Sequence, residues 1–90
     1  MYSVSYTKKF EKSLKLCKKR GLNIDLAKSV IKILAKDGKL PAEYKSHKLS
    51  GDYAGLWECH IKPDWLLIWS QNDTELLLIM TNTGSHSDLF

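Results

Sequence analysis

The sequence has few cysteines and no apolar run long enough to cross a membrane. Its two cysteines, Cys17 and Cys59, lack CxxC spacing and are too few for a disulfide framework, which is typical of a reduced, cytoplasmic protein. No unbroken apolar stretch is longer than the five residues 65–69, which is far shorter than a transmembrane helix. The N-terminal stretch also has no apolar core of signal-peptide length. We therefore expect a soluble protein that is not exported and has no membrane partner.

Arginine is almost absent, although the chain is basic. Arg20 is the only arginine among 14 basic residues, and with 10 acidic residues the net charge is +4. Lysine suits diffuse contact with a phosphate backbone and is poorer than arginine at bidentate recognition of bases. The composition therefore leans towards an anionic partner that is contacted through its backbone.

The N-terminal part of the chain predicts one strand followed by two helices. Alternating apolar residues over 2–6 indicate the strand. Thr7 and Asn23 are suited to cap helices, each followed by apolar residues at helical spacing. Gly21 and Gly38 stand where these helices should end.

The chain from Gly55 onwards predicts strands. The segments "LWECHI", "WLLIWS" and "LLLIMTN" are separated by a Pro63–Asp64 turn and by the polar turn "QNDTE". Tight hairpins imply antiparallel pairing. The 90 residues therefore predict a single domain, 1–90, of the α+β class: a small twisted antiparallel β-sheet with two N-terminal α-helices packed on one face. The other face should remain partly open.

Four ionisable residues alternate just before the most apolar stretch of the chain. Glu58, His60 and Lys62 should share one face of a strand, with Asp64 at its end, because residues at i, i+2 and i+4 line one side. A carboxylate, an imidazole and an ammonium group placed together can exchange and stabilise protons. The other two histidines, His47 and His86, belong to different elements, and their spacing does not show that they converge.

Two other kinds of chemistry are disfavoured by the spacing. The histidines, with Asp64 or Cys59, could supply zinc ligands, but the sequence contains no HxxxH, HxH or CxxC motif. Cys59 and His60 are adjacent and should point to opposite faces of a strand, so a thiol–imidazole pair is excluded and Cys59 is expected in the core. We expect no metal and no cofactor.

Two aromatic residues are candidates for stacking on nucleobases. Trp65 lies at the edge of the expected open face and suits either the core or a base platform. Phe90 is the last residue and follows a polar turn, where an exposed ring has little packing role. Such rings stack on unpaired bases in RNA-binding proteins.

Three segments, "HKLSGDY", "WECHIKPDWLLIW" and "TGSHSDLF", resemble the YafQ-type branch of the RelE/ParE toxin superfamily. The branch pattern is H-x-L-x-G, then an acid-x-H-I-x-P-D-W-L-L-I run, then T-G-S-H-x-x-L-F. The resemblance implies a RelE-like fold and a bacterial toxin of a type II toxin–antitoxin pair. It also implies a metal-independent endoribonuclease that cuts mRNA in the ribosomal A site, an antitoxin partner, and contact with operator DNA only through the antitoxin complex.

The resemblance also implies site residues. His86 would be the general acid, with His60 or Asp64 as base, and His47 would stabilise phosphate charge. Lys48 or Lys62 would assist, Glu58 replaces an aspartate of the pattern, and Thr83 is interpreted as a turn residue. Trp65 and Phe90 would hold an mRNA base, and further lysines would contact ribosomal RNA. The alternatives are a ParE-like toxin that acts on gyrase and a non-catalytic member that binds only antitoxin and DNA.

Overall fold

Five strands and three α-helices lie along residues 1–90, all of which are described by the computed structural model. Two short 3₁₀ helices, Ala42–Tyr44 and Gly51–Tyr53, flank β2. The strands and α-helices are, in chain order, β1 (Ser3–Tyr6), α1 (Lys8–Lys19), α2 (Ile24–Asp37), β2 (His47–Lys48), β3 (Trp57–Lys62), β4 (Trp65–Asn72), β5 (Leu77–Gly84) and α3 (His86–Leu89).

The first two helices begin and end where their capping residues predict. The Thr7 hydroxyl accepts a hydrogen bond from the Phe10 backbone N–H, and the Asn23 side chain accepts one from the Asp25 N–H. Gly38 follows α2 with φ +70°, where a Cβ atom would lie 2.5 Å from the Tyr2 ring. Glycine is therefore required there, both for the left-handed backbone and for the close approach of the ring.

The sheet has the order β1-β5-β4-β3-β2 and is mixed. The pairs β2–β3, β3–β4 and β4–β5 are antiparallel, and the last two are the hairpins that the short turns predict. β1 instead runs parallel to β5, so the prediction of a wholly antiparallel sheet is wrong for this edge strand. Two helices separate β1 from the other strands, so no hairpin turn fixes its direction.

The main core lies between the sheet and the α1–α2 pair, as predicted. Phe10 and Cys17 of α1 and Val30 and Leu34 of α2 are almost completely buried. They face the apolar residues that β4 and β5 direct to the same side, which are Trp65, Leu67, Trp69, Leu78 and Met80. None of the helices combines the length and apolarity needed to cross a membrane.

A second, smaller apolar cluster covers part of the opposite face of the sheet. It consists of Leu66 and Ile68 of β4 and Leu89 of α3, with Leu49 and Leu56 packed against it. This cluster explains why β4 is apolar on both faces. It also seats α3, and thereby the C-terminal segment, beside the turn that joins β3 to β4.

Candidate active site

α3 presents His86 at the first position of a helix that sequence analysis missed. Ser85 and Asp88 form a reciprocal capping box: the Asp88 N–H donates to Ser85 Oγ at 3.2 Å, and the Ser85 N–H donates to Asp88 Oδ2 at 2.9 Å. The S-x-x-D pattern over 85–88 signals such a box. A helix of four residues shows no apolar periodicity, so this pattern is its only sequence signal.

Asp64 holds His86 by two hydrogen bonds. Its Oδ1 accepts from the imidazole Nδ1 at 2.7 Å and from the His86 backbone N–H at 3.1 Å. The bond from the His86 ring, followed by that from the His86 N–H, lowers the pKa of the Asp64 carboxyl below its ordinary value. Because Nδ1 donates to this carboxylate, Nε2 is left to exchange a proton with a ligand.

His60 lies beside His86, and its Nδ1 atom also lies next to an oxygen acceptor. Its Nδ1 is 3.2 Å from the carbonyl oxygen of Pro63, an acceptor, so the ring proton is assigned to Nδ1. The centroids of the His60 and His86 rings are 5.9 Å apart, and the ring planes are inclined by 53°. The β3–β4 turn therefore supplies an acceptor for each imidazole, and both keep Nε2 available.

His47 and Glu58 form a second pair, with Glu58 two residues before His60 on β3. They are register partners on β2 and β3, and His47 Nε2 is 3.4 Å from Glu58 Oε1. His47 Nδ1 is 3.0 Å from the carbonyl oxygen of Lys45. The two ring nitrogens thus both lie near oxygen atoms, Nδ1 within hydrogen-bond distance and Nε2 at ion-pair distance.

Glu58 is buried, which corrects the prediction that it is displayed on an open face. Only 6% of its side chain is exposed, and Oε2 is buried with no hydrogen-bond partner. Its register partner on β4 is Ile68, a member of the second apolar cluster, which shares its face of the sheet. The carboxylate therefore lies beneath this edge of the site rather than at its surface.

The two predicted phosphate-binding lysines lie in different places. Lys62 lines a cleft of ≈ 230 Å³ together with His60, Pro63, Glu43 and Lys45, so it borders the site. Lys48 is the register partner of Trp57, and its Nζ is 5.5 Å from the centroid of that ring. Because Trp57 packs against the main core on the helix side of the sheet, Lys48 points away from the histidines, and the prediction that it assists them is wrong.

The structure also corrects the roles expected for Trp65 and Thr83. Trp65 is 1% exposed, lies in the main core, and donates from Nε1 to Thr83 Oγ1 at 3.0 Å. It cannot stack on an RNA base, because its position on β4 directs it towards the helices. Thr83 is not a turn residue: it is buried in β5, and its hydroxyl donates to the Leu66 carbonyl at 2.6 Å.

Phe90 is exposed, as expected, and a residue that sequence analysis missed supports it. Its ring packs edge-on against Tyr53, with centroids 5.1 Å apart, and remains 56% exposed. The Tyr53 hydroxyl donates to the Leu89 carbonyl at 3.2 Å. Tyr53 is 36 residues from Leu89 in sequence, so no local pattern could have linked it to the C-terminal segment.

The cysteines take no part in the site. Both are buried and unpaired. Burial raises the pKa of the Cys59 thiol to about 12 and also raises that of Cys17, so neither forms a thiolate nucleophile near neutral pH. No group of three or more histidine, cysteine, aspartate or glutamate side chains is arranged to hold one metal ion.

Comparison with known proteins identifies the family. A family model described as the YafQ bacterial toxin of a type II toxin–antitoxin system matches residues 2–90. The "mRNA interferase toxin YafQ" of Escherichia coli K12 is 35% identical over 88 residues, which are 97% of this chain and 94% of that protein.

Solved structures agree over the full length of the chain. YafQ in the E. coli DinJ–YafQ toxin–antitoxin complex superposes with a TM-score of 0.89 at 34% identity, covering 99% of this chain and 97% of that one. A metal-bound toxin from Helicobacter pylori gives a TM-score of 0.89 at 39% identity, covering all of both chains. The expected RelE-like α+β fold is confirmed, and the chain belongs to the YafQ family of toxins of type II toxin–antitoxin systems.

Proposed function

We propose that this YafQ-family toxin is an endoribonuclease that cleaves mRNA in the ribosomal A site and thereby stops translation. The observation that carries the proposal is the pair of adjacent imidazoles, His60 and His86, each with Nδ1 held by an acceptor and Nε2 available. The similarity to the mRNA interferase toxin of E. coli supports the same conclusion.

The reaction needs a proton acceptor on one side of a phosphate and a proton donor on the other side. The 2′-hydroxyl attacks the neighbouring phosphorus, the bond from phosphorus to the 5′-oxygen breaks, and a 2′,3′-cyclic phosphate and a 5′-hydroxyl result. His60 takes the proton of the 2′-hydroxyl, and His86 gives a proton to the leaving oxygen. An unperturbed imidazole titrates near ~6.5 and can do either, and each transfer accelerates the reaction roughly 10²–10⁴-fold.

Asp64 positions His86 and is not the base. Its Oδ1 already accepts both hydrogen bonds from His86, and these contacts stabilise its ionised form. A carboxylate in this place fixes the tautomer of the imidazole and stabilises the imidazolium. Of the two predicted candidates for the base, the geometry therefore favours His60.

His47 and Lys62 stabilise negative charge on the phosphate. His47 lies between the Lys45 carbonyl oxygen, 3.0 Å from Nδ1, and the Glu58 carboxylate, 3.4 Å from Nε2, so a positive charge on its ring has negative partners on both sides. Lys62 adds a second cation at the rim of the His60 cleft. Fixed positive charge aimed at a transition state that gains negative charge is among the largest contributions to catalysis.

Phe90 is the remaining contact with RNA. Its exposed ring is braced by Tyr53 at the end of α3, four residues after His86. An aromatic ring at this place can stack on a base that is unstacked from its neighbours. Phe90 alone therefore holds the mRNA base, a role that sequence analysis had assigned to both Trp65 and Phe90.

The biological partners follow from the family. E. coli YafQ forms a toxin–antitoxin complex with DinJ, and we propose a cognate antitoxin for this chain, with operator DNA bound only through that complex. The toxin acts in the cytoplasm, on mRNA held by the ribosome, and contacts ribosomal RNA. No cofactor takes part in the proposed steps.

The proposed mechanism uses no metal, although one relative has been solved with metal bound. The H. pylori toxin is a metal-bound structure. In this chain the proposed cleavage runs entirely on imidazole and carboxylate groups, so EDTA should not reduce it. Loss of cleavage in EDTA, with recovery on addition of zinc, would contradict the metal-independent mechanism.

The alternative target is gyrase, as for ParE-like members of the superfamily. The two histidine–carboxylate pairs favour RNA cleavage, because binding to a protein target does not require imidazoles with free nitrogens beside one another. Gyrase-dependent DNA damage without mRNA cuts would establish the alternative.

A single comparison tests the proposal: wild type and His86→Ala are induced side by side, and the 5′ ends of cellular mRNA are mapped. Wild type should produce cuts in translated mRNA, and the variant should lose them by roughly 10²–10⁴-fold. The His86 side chain is 54% exposed, so the variant should keep its thermal stability. Equal cutting by both proteins would contradict the proposal.

A further inference from the structure

Asn82 of β5 lies on the face of the sheet that carries the proposed catalytic histidines. Across the sheet it is the register partner of Ile68 on β4, which in turn pairs with Glu58 on β3. Residues directly opposite one another on paired strands point to the same side of a sheet, and His60 shares this side with Glu58, two residues along β3. Asn82 is half-buried, and no step of the proposed cleavage uses it.

Two hydrogen bonds fix the direction of the Asn82 amide. The Ser13 hydroxyl of α1 donates to Asn82 Oδ1 at 2.7 Å, and the backbone N–H of Thr83 donates to the same atom at 2.9 Å. Because a backbone N–H can only donate, the atom that accepts it is the oxygen, and this assigns the two ends of the amide. Nδ2 donates to no protein group and is not sealed from solvent. The side chain therefore presents two free N–H donors.

The Asn82 amide lines a small cleft beside the C-terminal end of the chain. The cleft has a volume of ≈ 130 Å³, and Tyr53 and Leu89 also line it. The same Tyr53 braces the exposed ring of Phe90. Pockets that enclose a whole small molecule measure roughly 300–1,000 Å³, so this cleft admits only the edge of a nucleobase. A base stacked on Phe90 can turn its hydrogen-bonding edge into the cleft.

The carboxylate of Asp88 is a second polar group of this cleft. Its Oδ2 accepts from Arg20 at 2.6 Å and from the Ser85 N–H at 2.9 Å, whereas Oδ1 accepts from no protein group. The hydrogen bonds from Arg20 and Ser85 lower the pKa of Asp88 to about 2, so the carboxylate is ionised at neutral pH. The cleft therefore combines free donors on Asn82 with a free acceptor on Asp88.

A donor next to an acceptor matches the edges of guanine and uracil. Each of these bases carries a keto oxygen beside a ring N–H, whereas adenine and cytosine carry an amino group beside a ring nitrogen that accepts. The Asn82 amide can donate to the keto oxygen while Asp88 Oδ1 accepts from the ring N–H. With adenine or cytosine, the amino group would face the donors of Asn82 and the ring nitrogen would face the carboxylate.

The position of this base in the RNA follows from the proposed mechanism. His86 protonates the leaving 5′-oxygen, so it lies beside the nucleotide on the 3′ side of the cut. Phe90 is one helical turn further on, and its backbone N–H donates to the His86 carbonyl at 2.9 Å. We propose that Asn82, together with Asp88, selects guanine or uracil as the nucleotide that follows the cut; this inference rests on the proposed function.

The test is Asn82→Asp, which replaces the two N–H donors by a second oxygen. The other oxygen keeps the bonds from Ser13 and Thr83, so the fold should be retained, and circular dichroism checks this. Asn72→Asp is the matched control, because Asn72 Oδ1 also accepts two backbone N–H groups, at the turn that follows β4. Asn82→Ala, which also lacks the donors, replaces the first variant if that variant does not fold.

Wild type and variants are induced in cells, and the 5′ ends of cut mRNA are mapped, since the first base of each new fragment is the base that followed the cut. Contacts to base edges discriminate roughly fivefold or more. In wild type, guanine and uracil should therefore exceed their share of translated mRNA at this position by about that factor. The excess should disappear in Asn82→Asp and persist in Asn72→Asp, whatever the total number of cuts. The distribution of the base before the cut should not change in either variant.

The outcomes separate this inference from the proposed function. If wild type cuts translated mRNA without an excess of guanine or uracil after the cut, the inference fails and the proposed function stands. The same holds if Asn82→Asp keeps the wild-type excess, or if Asn72→Asp loses it equally. If wild type makes no cuts in mRNA, the proposed function itself fails, and this inference fails with it.

Discussion

Two histidine–carboxylate pairs share the site but are built in opposite ways. In the exposed pair, Asp64 and His86, the carboxylate side chain is 71% exposed and 2.7 Å from the ring. In the buried pair, Glu58 and His47, the carboxylate is 6% exposed and 3.4 Å from the ring. The same two functional groups are therefore placed once in water and once beneath the surface.

The difference assigns a separate task to each pair. His86 has one nitrogen held by Asp64 and one available, which suits proton transfer. His47 has acceptors at both nitrogens and none available, which suits a fixed positive charge. The Glu58 oxygen without a partner shows that the buried pair is kept at a cost to stability, since a buried polar group that lacks a hydrogen bond destabilises the fold. Such costs are typical of functional sites.

The largest effect should come from Asp64→Asn in the exposed pair. An amide that turns its NH₂ towards Nδ1 forces the ring proton onto Nε2, and it removes the charge that stabilises the imidazolium. Single-turnover cleavage of ribosome-bound mRNA should slow by about 10²–10⁴-fold, with only a small loss of thermal stability because the residue is exposed. Asp37→Asn, at the exposed end of α2, is the matched control. A rate within about threefold of wild type would show that His86 does not depend on Asp64.

In the buried pair, Glu58→Met should change stability and activity in opposite directions. An apolar side chain of similar shape removes the unpartnered oxygen, so the free energy of unfolding should rise by about 1–3 kcal/mol. Cleavage should slow roughly tenfold to a hundredfold, because His47 loses the partner that favours its charged form. Urea unfolding and single-turnover cleavage measure the two effects.

A second variant separates the charge of Glu58 from the polarity of its side chain. Glu58→Gln keeps an acceptor for His47 but carries no charge, so its cleavage rate should be close to that of Glu58→Met if the charge matters. A rate close to that of wild type would show that a polar oxygen near His47 is sufficient and that the charge is not needed. A loss of stability in Glu58→Met would contradict the interpretation that the buried carboxylate is costly.

The sequence predicted which face each residue of β3 occupies, but not what covers that face. Strict alternation placed Glu58 and His60 together, and the structure agrees. Burial of Glu58 depends on Ile68 from β4 and on the cluster that α3 completes, and a strand that is apolar on both sides does not reveal what packs there. The same ambiguity left Trp65 open between core and surface. Alternation along one strand determines side-chain direction, whereas burial is decided by other elements.

Contacts between residues distant in sequence could not be predicted for the same reason. Arg20 and Asp88 are 68 residues apart, and Tyr53 and Leu89 are 36 apart, yet these contacts hold the helix that carries His86. The motif resemblance supplied His86 as a site residue, but neither the resemblance nor the local pattern supplied its supports. Local signals, such as the caps of α1 and α2, were sufficient wherever the contact closes within one turn.

The ion pair of Arg20 and Asp88 has a carboxylate of intermediate burial, between those of Glu58 and Asp64. Substitution in this pair should have the smallest effect on cleavage. Its carboxylate is 28% exposed, and the hydrogen bond from Arg20 is the main reason that the pKa of Asp88 falls to about 2. An unfolded aspartate titrates near ~3.9. Because the folded pKa is the lower one, the pair stabilises the fold fully above about pH 4, and its contribution is lost as the pH falls through about 2.

Arg20→Gln should therefore lower the thermal midpoint by a few degrees at pH 6, and the gap from wild type should narrow below pH 4 and close near pH 2. Cleavage at neutral pH should change less than in either other pair, because Ser85 still caps α3 through Asp88. Thermal unfolding of both proteins from pH 6 to pH 2 checks the sign. Protonation of Asp88 at pH 2 removes its charge but not the packing of Arg20. A difference in thermal midpoint that persists at pH 2 would therefore show that Arg20 stabilises the fold by packing its side chain against α3 and not through the charge of Asp88.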